Sequence, residues 1–571
     1  MALNDKDAVE IVNDRLSVAR RGRDEYEERA IENEEFYHNY IDETSHPYLS
    51  NIALPWPYII IESYLGKCIQ MLAAQMPYVR VVEEDNKYRT NAKKVEKDSN
   101  MVLYRQKWPI LAYNTYKQAF KYPCAFIYER PWGMLKGIEM PIFSLMNWFH
   151  TWVNPACLDF EDDDAYMIWE TYVPMKSFDR FKTNKSYKNL DKMQIHQGEI
   201  YDESEKTIRS FKNLSEYPSD KHSKLVRLWT YWDHENFILI TNENNPIRPD
   251  DNFLDGKIPC KKITPIPIEN EFYGMSILDE GKDLFTECNE NRNQYNDAVN
   301  LMLNPQWIVS RSCEIKRSMI QSRPGGLLFT DDVNGLQPMK VDWNILAQSI
   351  ARNGLLSQDI MNYSNAFPQM RGQAVSGQET ATEYMGMRQA GELRSQTYNL
   401  LLAMMSIEEM IEDVVIFKQM FMTEDSSFFY WPEQNTESVT VDDYRGIFSY
   451  KTFANFKQMV EIERKHYIEA MTLIFGGANG AFLPFVMPKA DEWLDRLIDY
   501  FDLRNPDQLR LTNDELQQAQ MMSRVQQMMG MIGGMRGGNA PLALGEKAMR
   551  MGPENEINSE MGTMIPEMMG R

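Results

Sequence analysis

The stretch SILDEGKDLFTECNENRNQYNDAVNLML, residues 276–303, decides the reading of this chain, because its apolar spacing is helical while most of its surface is polar. Ile277, Phe285, Tyr295, Val299 and Met302 are diluted by charges and amides, and a helix that polar is not buried on several sides. Asn304 and Pro305 end it, QWIVS (306–310) reads as a strand, SRPGG (322–326) as a turn, and LLFT (327–330) as a second strand. The helical segment NILAQSIARNGLLSQDIMNYSNAF (344–367) follows, and then the Pro/Gly loop PQMRGQAVSGQ (368–378). From Glu379 to Phe421 the pattern predicts a helix of about 40 residues, with Leu400, Met404, Ile407, Ile411, Val414 and Phe421 spaced for burial and Gly386 and Gly391 as bend points. A β excursion thus leaves one helix and returns to another, and nothing in it is arranged for chemistry.

On the N-terminal side, residues 6–40 predict an amphipathic helix that rests one stripe, Ala8, Ile11, Val12, Leu16 and Ala19, on the body. A second helix is predicted over Lys87–Lys117, with Ala92, Val95, Met101, Val102 and Leu103 inward, followed by the strand YPCAFIYERPW and further strands over 140–175. The stretch Lys182–Lys224 is rich in Lys, Asn, Ser and Glu and reads as a surface insertion or mobile loop. LVRLWTYWDHENFILIT then predicts a β-hairpin turning at Asp233–Asn236. Towards the C-terminus, ADEWLDRLIDYFDL and NDELQQAQMMSRVQQMM predict two more helices, and a Gly/Met-rich tail follows from Met528.

With 43% hydrophobic and 25% charged residues the 571-residue chain is of ordinary folded composition, long enough for several domains. No apolar run suits a membrane span and the N-terminus lacks a signal-peptide core, so the chain is expected to stay in the cytoplasm or in something assembled there. Six cysteines, at 68, 124, 157, 260, 288 and 313, form no CxxC pair and stand apart from the seven histidines, which predicts reduced structural thiols rather than a metal centre. The run Asp159, Glu161, Asp162, Asp163, Asp164 offers carboxylates for a hard cation, but contiguous acids point in different directions and more simply solvate a surface. His150, among Trp148 and Phe149, reads as a hydrogen-bonded, partly buried residue, with no Ser or Cys elbow to use it. GNAPLALGEKA (538–548) has the wrong glycine spacing for a phosphate loop and no Ser or Thr after its Lys. The net charge of −22 argues against a protein that grips nucleic acid through a basic face. No catalytic residue, metal ion or cofactor is assigned.

Taken in order, several phrases make the chain resemble the portal proteins, the head-to-tail connectors of tailed bacteriophages. They are RDEYEERAIENEEFYHNY (23–40), IPCKKITPIPIENEFYGMSILDEGKDLF (258–285), NEN followed by RNQYNDAVNLMLNPQWIVS (289–310), SRPGG with DDV after it, SGQETATEYMGMRQAGELR (376–394) and MPKADEWLDRLIDYFDLRNPDQL (487–509). The resemblance covers about residues 10–510 and leaves out the 182–224 insertion and the Met-rich tail. It implies a predominantly helical α+β fold that assembles as a ring, usually of twelve copies, at one capsid vertex. DNA would enter through its channel during packaging and leave through it during ejection. Residues 1–275 would be the first part of the wing, 276–303 stem helix 1, 304–342 the β-rich clip, 343–367 stem helix 2 and 368–378 the tunnel loop. Residues 379–485 would return through the wing as the long helix, and 486–571 would form the crown helices and tail. Implied partners are further copies of the chain, the major capsid protein, the large terminase that drives packaging, tail adaptor proteins, and double-stranded DNA held weakly and without sequence preference, with no membrane. The implied location is the virion, after assembly in the host cytoplasm.

Elementary physics gives the pieces their roles. Strands in a clip can pair across a ring and satisfy otherwise open edges. Arg311, Lys316, Arg317 and Arg323 make a basic patch there, suited to an acidic docking partner. In the tunnel loop Pro368, Gly372 and Gly377 permit bending, while Gln369, Arg371 and Gln373 offer sparse phosphate contacts. Twelve copies at −22 put roughly −264 on the ring, and an acidic wall keeps DNA from sticking in transit. Two other classes fit less of the pattern: another virion structural protein, such as a tail adaptor or an ejected internal protein, and a metal-dependent enzyme built on the 159–164 acids.

Overall fold

The computed structural model describes residues 4–41, 50–73, 76–83, 89–182, 186–196, 202–212, 214, 224–303, 307–310, 336–338, 343–364, 396–430 and 435–452. The chain divides into two units, Met1–Ala478 and Asn479–Arg571, and the second lies outside the described residues, with the expected crown helices and tail. Of the described residues 52% are helical and 23% in strands, in keeping with an α+β chain in which helix predominates.

Helix α1 (Asp5–His38) ends at Asn39 in the left-handed conformation, which an Asn tolerates better than most residues. Its stripe Ala8, Val12, Leu16 and Ala19 packs on Trp152, Tyr166, Ile168, Trp229, Tyr231, Ile238 and Ile240, one face of an antiparallel five-stranded sheet. That sheet runs in the order β4 (Thr151–Val153), β5 (Tyr166–Pro174), β6 (Leu225–Asp233), β7 (Asn236–Thr241), β8 (Asn245–Asp251), and Ile168, Tyr231 and Ile238 lie in one register row. The β6–β7 hairpin turns where expected, because the Asp233 carboxylate accepts the Glu235 amide at 2.8 Å and the Asn236 amide at 2.5 Å. Edge strand β8 carries Pro246 and Pro249, which blunt it against further pairing. The contact of α1 runs deeper than one stripe. A Cβ on Gly22 would stand 2.5 Å from the Pro155 ring, and the buried Arg23 guanidinium donates to the carbonyls of Trp148 (3.0 Å), Phe149 (3.0 Å) and Thr151 (2.7 Å).

The region expected as one helix over Lys87–Lys117 is two, α3 (Arg89–Arg105) and α4 (Trp108–Lys121). Pro109 in the first turn of α4 cannot continue a helix from before it, and Lys107 takes a left-handed conformation at the break. A helix not anticipated from the sequence, α2 (Trp56–Leu72), packs beside α4 and supplies Ile60, Ile61, Tyr64, Leu65 and Cys68 to the main core. Strands β2 (Ala125–Leu135) and β3 (Ile138–Leu145) form a hairpin, and β9 (Cys260–Ile263) pairs with the other edge of β2. The Gln106 side chain covers the free edge of β3, accepting from the Phe143 amide at 2.8 Å and donating to the Pro141 carbonyl at 2.9 Å. β1 (Val79–Glu83) pairs with β14 (Phe448–Thr452), and β12 (Ser426–Tyr430) with β13 (Asn435–Val439).

The 182–224 stretch is more than a loop. Within it α5 (Glu203–Phe211) buries Ile208 and Phe211, and Met193 is buried as well, so sparse apolar residues still give it a seat on the body. The long helix α8 is described over 396–421, and its 379–395 part lies outside the described residues. Ala403–Glu408 is a π turn whose extra residue rotates the register. Ile407, Ile411 and Val414 are therefore buried as expected, whereas Leu400 (39% exposed) and Met404 (50%) face outward.

Candidate functional site

Helix α6 (Lys282–Leu303) starts after a single turn, Asp279–Gly281, and stops at the expected Asn304 and Pro305. α7 (Trp343–Ser364) lies antiparallel against it: Tyr363 meets Phe285 near the start of α6, while Arg352 and Asn353 meet Glu287 and Asn291 farther along. The α7 seam, Leu346, Ser349, Asn353, Leu356, Ile360 and Tyr363, alternates steps of three and four, which gives a narrow coiled-coil stripe. At its centre the buried Asn291 amide donates to Asn353 Oδ1 (2.9 Å) and its Oδ1 accepts from Ser349 Oγ (3.1 Å), a polar pair that fixes register. Gly281 permits the close approach, since a Cβ there would stand 2.6 Å from the Tyr363 ring and 2.9 Å from Phe285.

Between the two helices in the chain, β10 (Trp307–Val309) pairs antiparallel with β11 (Leu336–Pro338), making a short ribbon. The expected strand QWIVS is present as β10, paired with Leu336–Pro338; the second expected strand, LLFT, lies outside the described residues. β11 directly precedes α7, so pairing there closes the excursion where the second helix must begin.

The polarity of α6 has a local use that sequence reading did not find. Asn289, Asn293 and Asp297, four residues apart, accept the backbone amides of Leu54 (2.8 Å), Ile52 (2.8 Å) and Ser50 (2.6 Å), and Asn293 Nδ2 also donates to the Ile52 carbonyl (3.2 Å). Four helical residues advance about 6.0 Å and two extended residues about 6.6 Å, so the two repeats run in step and residues 50–54 lie along α6 as an antiparallel strap. Asn293→Ala removes the central rung and is expected to speed amide exchange at Ile52 and Leu54 about tenfold, for roughly 1.4 kcal/mol lost across its two bonds. Exchange at the Trp229 and Tyr231 amides of β6 serves as the unchanged control.

The residues assigned to the tunnel loop, Pro368, Gln369, Arg371, Gly372, Gln373 and Gly377, lie outside the described residues, as do the clip residues Arg311, Lys316, Arg317 and Arg323. Among the described residues no group of three His, Cys, Asp or Glu is placed to hold a metal ion. In the acidic run, Asp162 accepts from the Leu158 amide (2.6 Å) and Asp159 from the Glu161 amide (2.8 Å), which shapes the turn before β5. Cys68, Cys124, Cys157, Cys260 and Cys288 are buried free thiols, and burial pushes the Cys124 thiol up to about 12. GNAPLALGEKA lies outside the described residues. No described helix is long and apolar enough to cross a membrane. No protein-family model matches this chain, and no curated protein matches its sequence.

Proposed function

We propose that the chain is the subunit of a portal-type ring, with the α6–α7 pair as its stem and the β10–β11 ribbon at the base of its clip. The observation that carries this reading is the outer face of α7. Ala347, Ile350, Ala351, Gly354 and Leu355 lie within one arc free of charged side chains, with Ile350 57% and Leu355 62% exposed. Among the described residues nothing stands within 4 Å of a Cβ built on Gly354, so none of them covers this small, apolar surface. A uniformly uncharged helix face on a chain of net charge −22 is what side-by-side packing of neighbouring stems requires. In this reading the ring has twelve copies at one capsid vertex, passes DNA during packaging and ejection, and docks the terminase and then tail adaptors on its clip.

Electron microscopy and sedimentation of the purified protein test the reading. The wild type is expected to form rings of about twelve copies with a central hole, since closed cyclic symmetry follows from head-to-tail contacts. Ile350→Lys is expected to give folded monomers, with circular dichroism unchanged. Uniform wild-type monomers under every assembly condition overturn the proposal, and rings that survive Ile350→Lys and Leu355→Lys together overturn the role given to α7.

A further inference from the structure

His150 closes the short turn Trp148–His150 ahead of β4 and is buried between two carboxylates from different elements. Its Nε2 lies 2.9 Å from Glu205 Oε2 on α5, and its Nδ1 lies 3.7 Å from Glu170 Oε1 on β5. The Glu205 carboxylate also accepts from Asn147 Nδ2 at 2.5 Å, so two residues from either end of one short turn grip one side chain of α5. α5 is otherwise held by the buried Ile208 and Phe211, the Phe211 ring 4.7 Å from Tyr40, by Ser204 Oγ donating to Glu27 at 2.6 Å, and by Lys212 just past its end, 3.9 Å from Glu34.

Charged groups face His150 from every side. Glu205 and Asp202 come from α5 and its N-cap, and Glu170 comes from β5, where Trp229 Nε1 and Tyr172 Oη donate to it. Arg227 on β6 is spent on Glu170 (2.7 Å) and Glu243 (2.5 Å), and Arg23 on α1 is paired with Glu27 (2.9 Å). The His196 ring packs 5.1 Å from Tyr172 at the edge of the group. With a neutral imidazole, Glu170 keeps its Arg227 partner while Glu205 keeps the Asn147 amide; with a protonated one, Glu205 gains a direct counter-ion.

We propose that His150 is a proton-operated latch for α5: the imidazolium holds Glu205 and seats the helix, and loss of the proton frees the helix to lift from the face of α1 that carries Glu27 and Glu34 and from Tyr40 just beyond the end of α1. Burial alone would lower the His150 pKa, but the Glu205 hydrogen bond and the charges of Glu205, Glu170 and Asp202 outweigh it and hold it above the ordinary value. A raised folded-state pKa means the latch contributes in full below the ordinary histidine range and is lost as pH rises through the folded value. Release therefore lies above the ordinary histidine range.

Hydrogen exchange of the full chain tests this at about pH 6 and about pH 8.5, with rates corrected for the intrinsic effect of pH. Amides of Glu203–Phe211 are expected to lose about tenfold in protection at the higher pH, the order of one hydrogen bond to a charged group, while those of β6 and β7 stay protected. His150→Gln keeps one hydrogen-bonding group without the charge and is expected to show the lower protection at both pH values. Equal wild-type protection of α5 at the two pH values, or a pH step that persists in His150→Gln, overturns the latch. A loss spread equally over β6 and β7 overturns it too, since the change would then belong to the whole sheet.

Discussion

Lys418→Met is expected to cost about 3–5 kcal/mol of stability, the range for removing one partner of a buried ion pair. Lys418 on α8 and Asp98 on α3 have side chains only 5% and 3% exposed, and the ammonium lies against the Asp98 carboxylate. The same Asp98 Oδ2 accepts from Tyr444 Oη at 2.5 Å, and the Lys418 Nζ sits 5.3 Å from the centre of the Tyr444 ring. One carboxylate thus joins α3, α8 and the turn Val441–Tyr444, and without the lysine it keeps a single neutral donor among those contacts in a site with almost no water. Methionine fills nearly the same volume, so the loss reports charge rather than a cavity. The urea midpoint of the first unfolding transition measures it, and adding Asp98→Asn should recover more than half of the loss by removing the stranded charge. A single-variant cost below about 1 kcal/mol would place this pair among the weak surface type and refute its role as the tie between α3 and α8.

The pattern of the chain made local elements legible and left long-range ones hidden. α1, α6, α7 and the β6–β7 hairpin follow from apolar spacing and from punctuation such as Asn304–Pro305 and the Asp233 turn, because those signals lie within a few residues of their effect. α2 was not legible: Trp56–Leu72 is apolar on most sides, with Ile59, Ile60 and Ile61 in sequence, so no period separates a buried helix from a strand. The break between α3 and α4 was legible in Pro109 but outweighed by continuous helical spacing on either side. The pairing of β10 with Leu336–Pro338 depends on where the returning helix begins, which strand propensity in LLFT does not encode. The Asn289, Asn293 and Asp297 repeat was visible as a four-residue spacing, yet only the position of residues 50–54 gives it meaning. That row of side chains is occupied by the strap, so its polarity has a use within the single chain.

Glu129→Gln is expected to stabilise the chain at alkaline pH and to leave it nearly unchanged at acidic pH. Glu129 on β2 is fully buried and neither carboxylate oxygen has a hydrogen-bond partner. Its surroundings are charged on both sides: Lys257 engages Asp413, and Lys261 lies 3.1 Å from Asp413 and 3.1 Å from Glu409, with Glu412 near. Four carboxylates therefore meet two ammonium groups between β2, β9 and α8, and Glu129 is the buried one without a direct pair among the described residues. Burial pushes its pKa up to about 7; Lys261 and Lys257 oppose the shift, and Glu412 adds to it. The folded state thus holds a proton that the unfolded state has released, so stability from this group is present in full below the ordinary carboxylate range and falls as pH rises towards about 7. Across that interval the loss is on the order of 3 kcal/mol, and glutamine, neutral throughout, does not suffer it. Glu96, also pushed up to about 7 by burial, is common to both proteins and cancels in the difference. Melting temperatures of the two proteins should coincide near pH 5 and separate in favour of the variant near pH 8; a constant offset at both values would mean that Glu129 is paired and charged throughout, and that the surplus proton belongs elsewhere in the cluster.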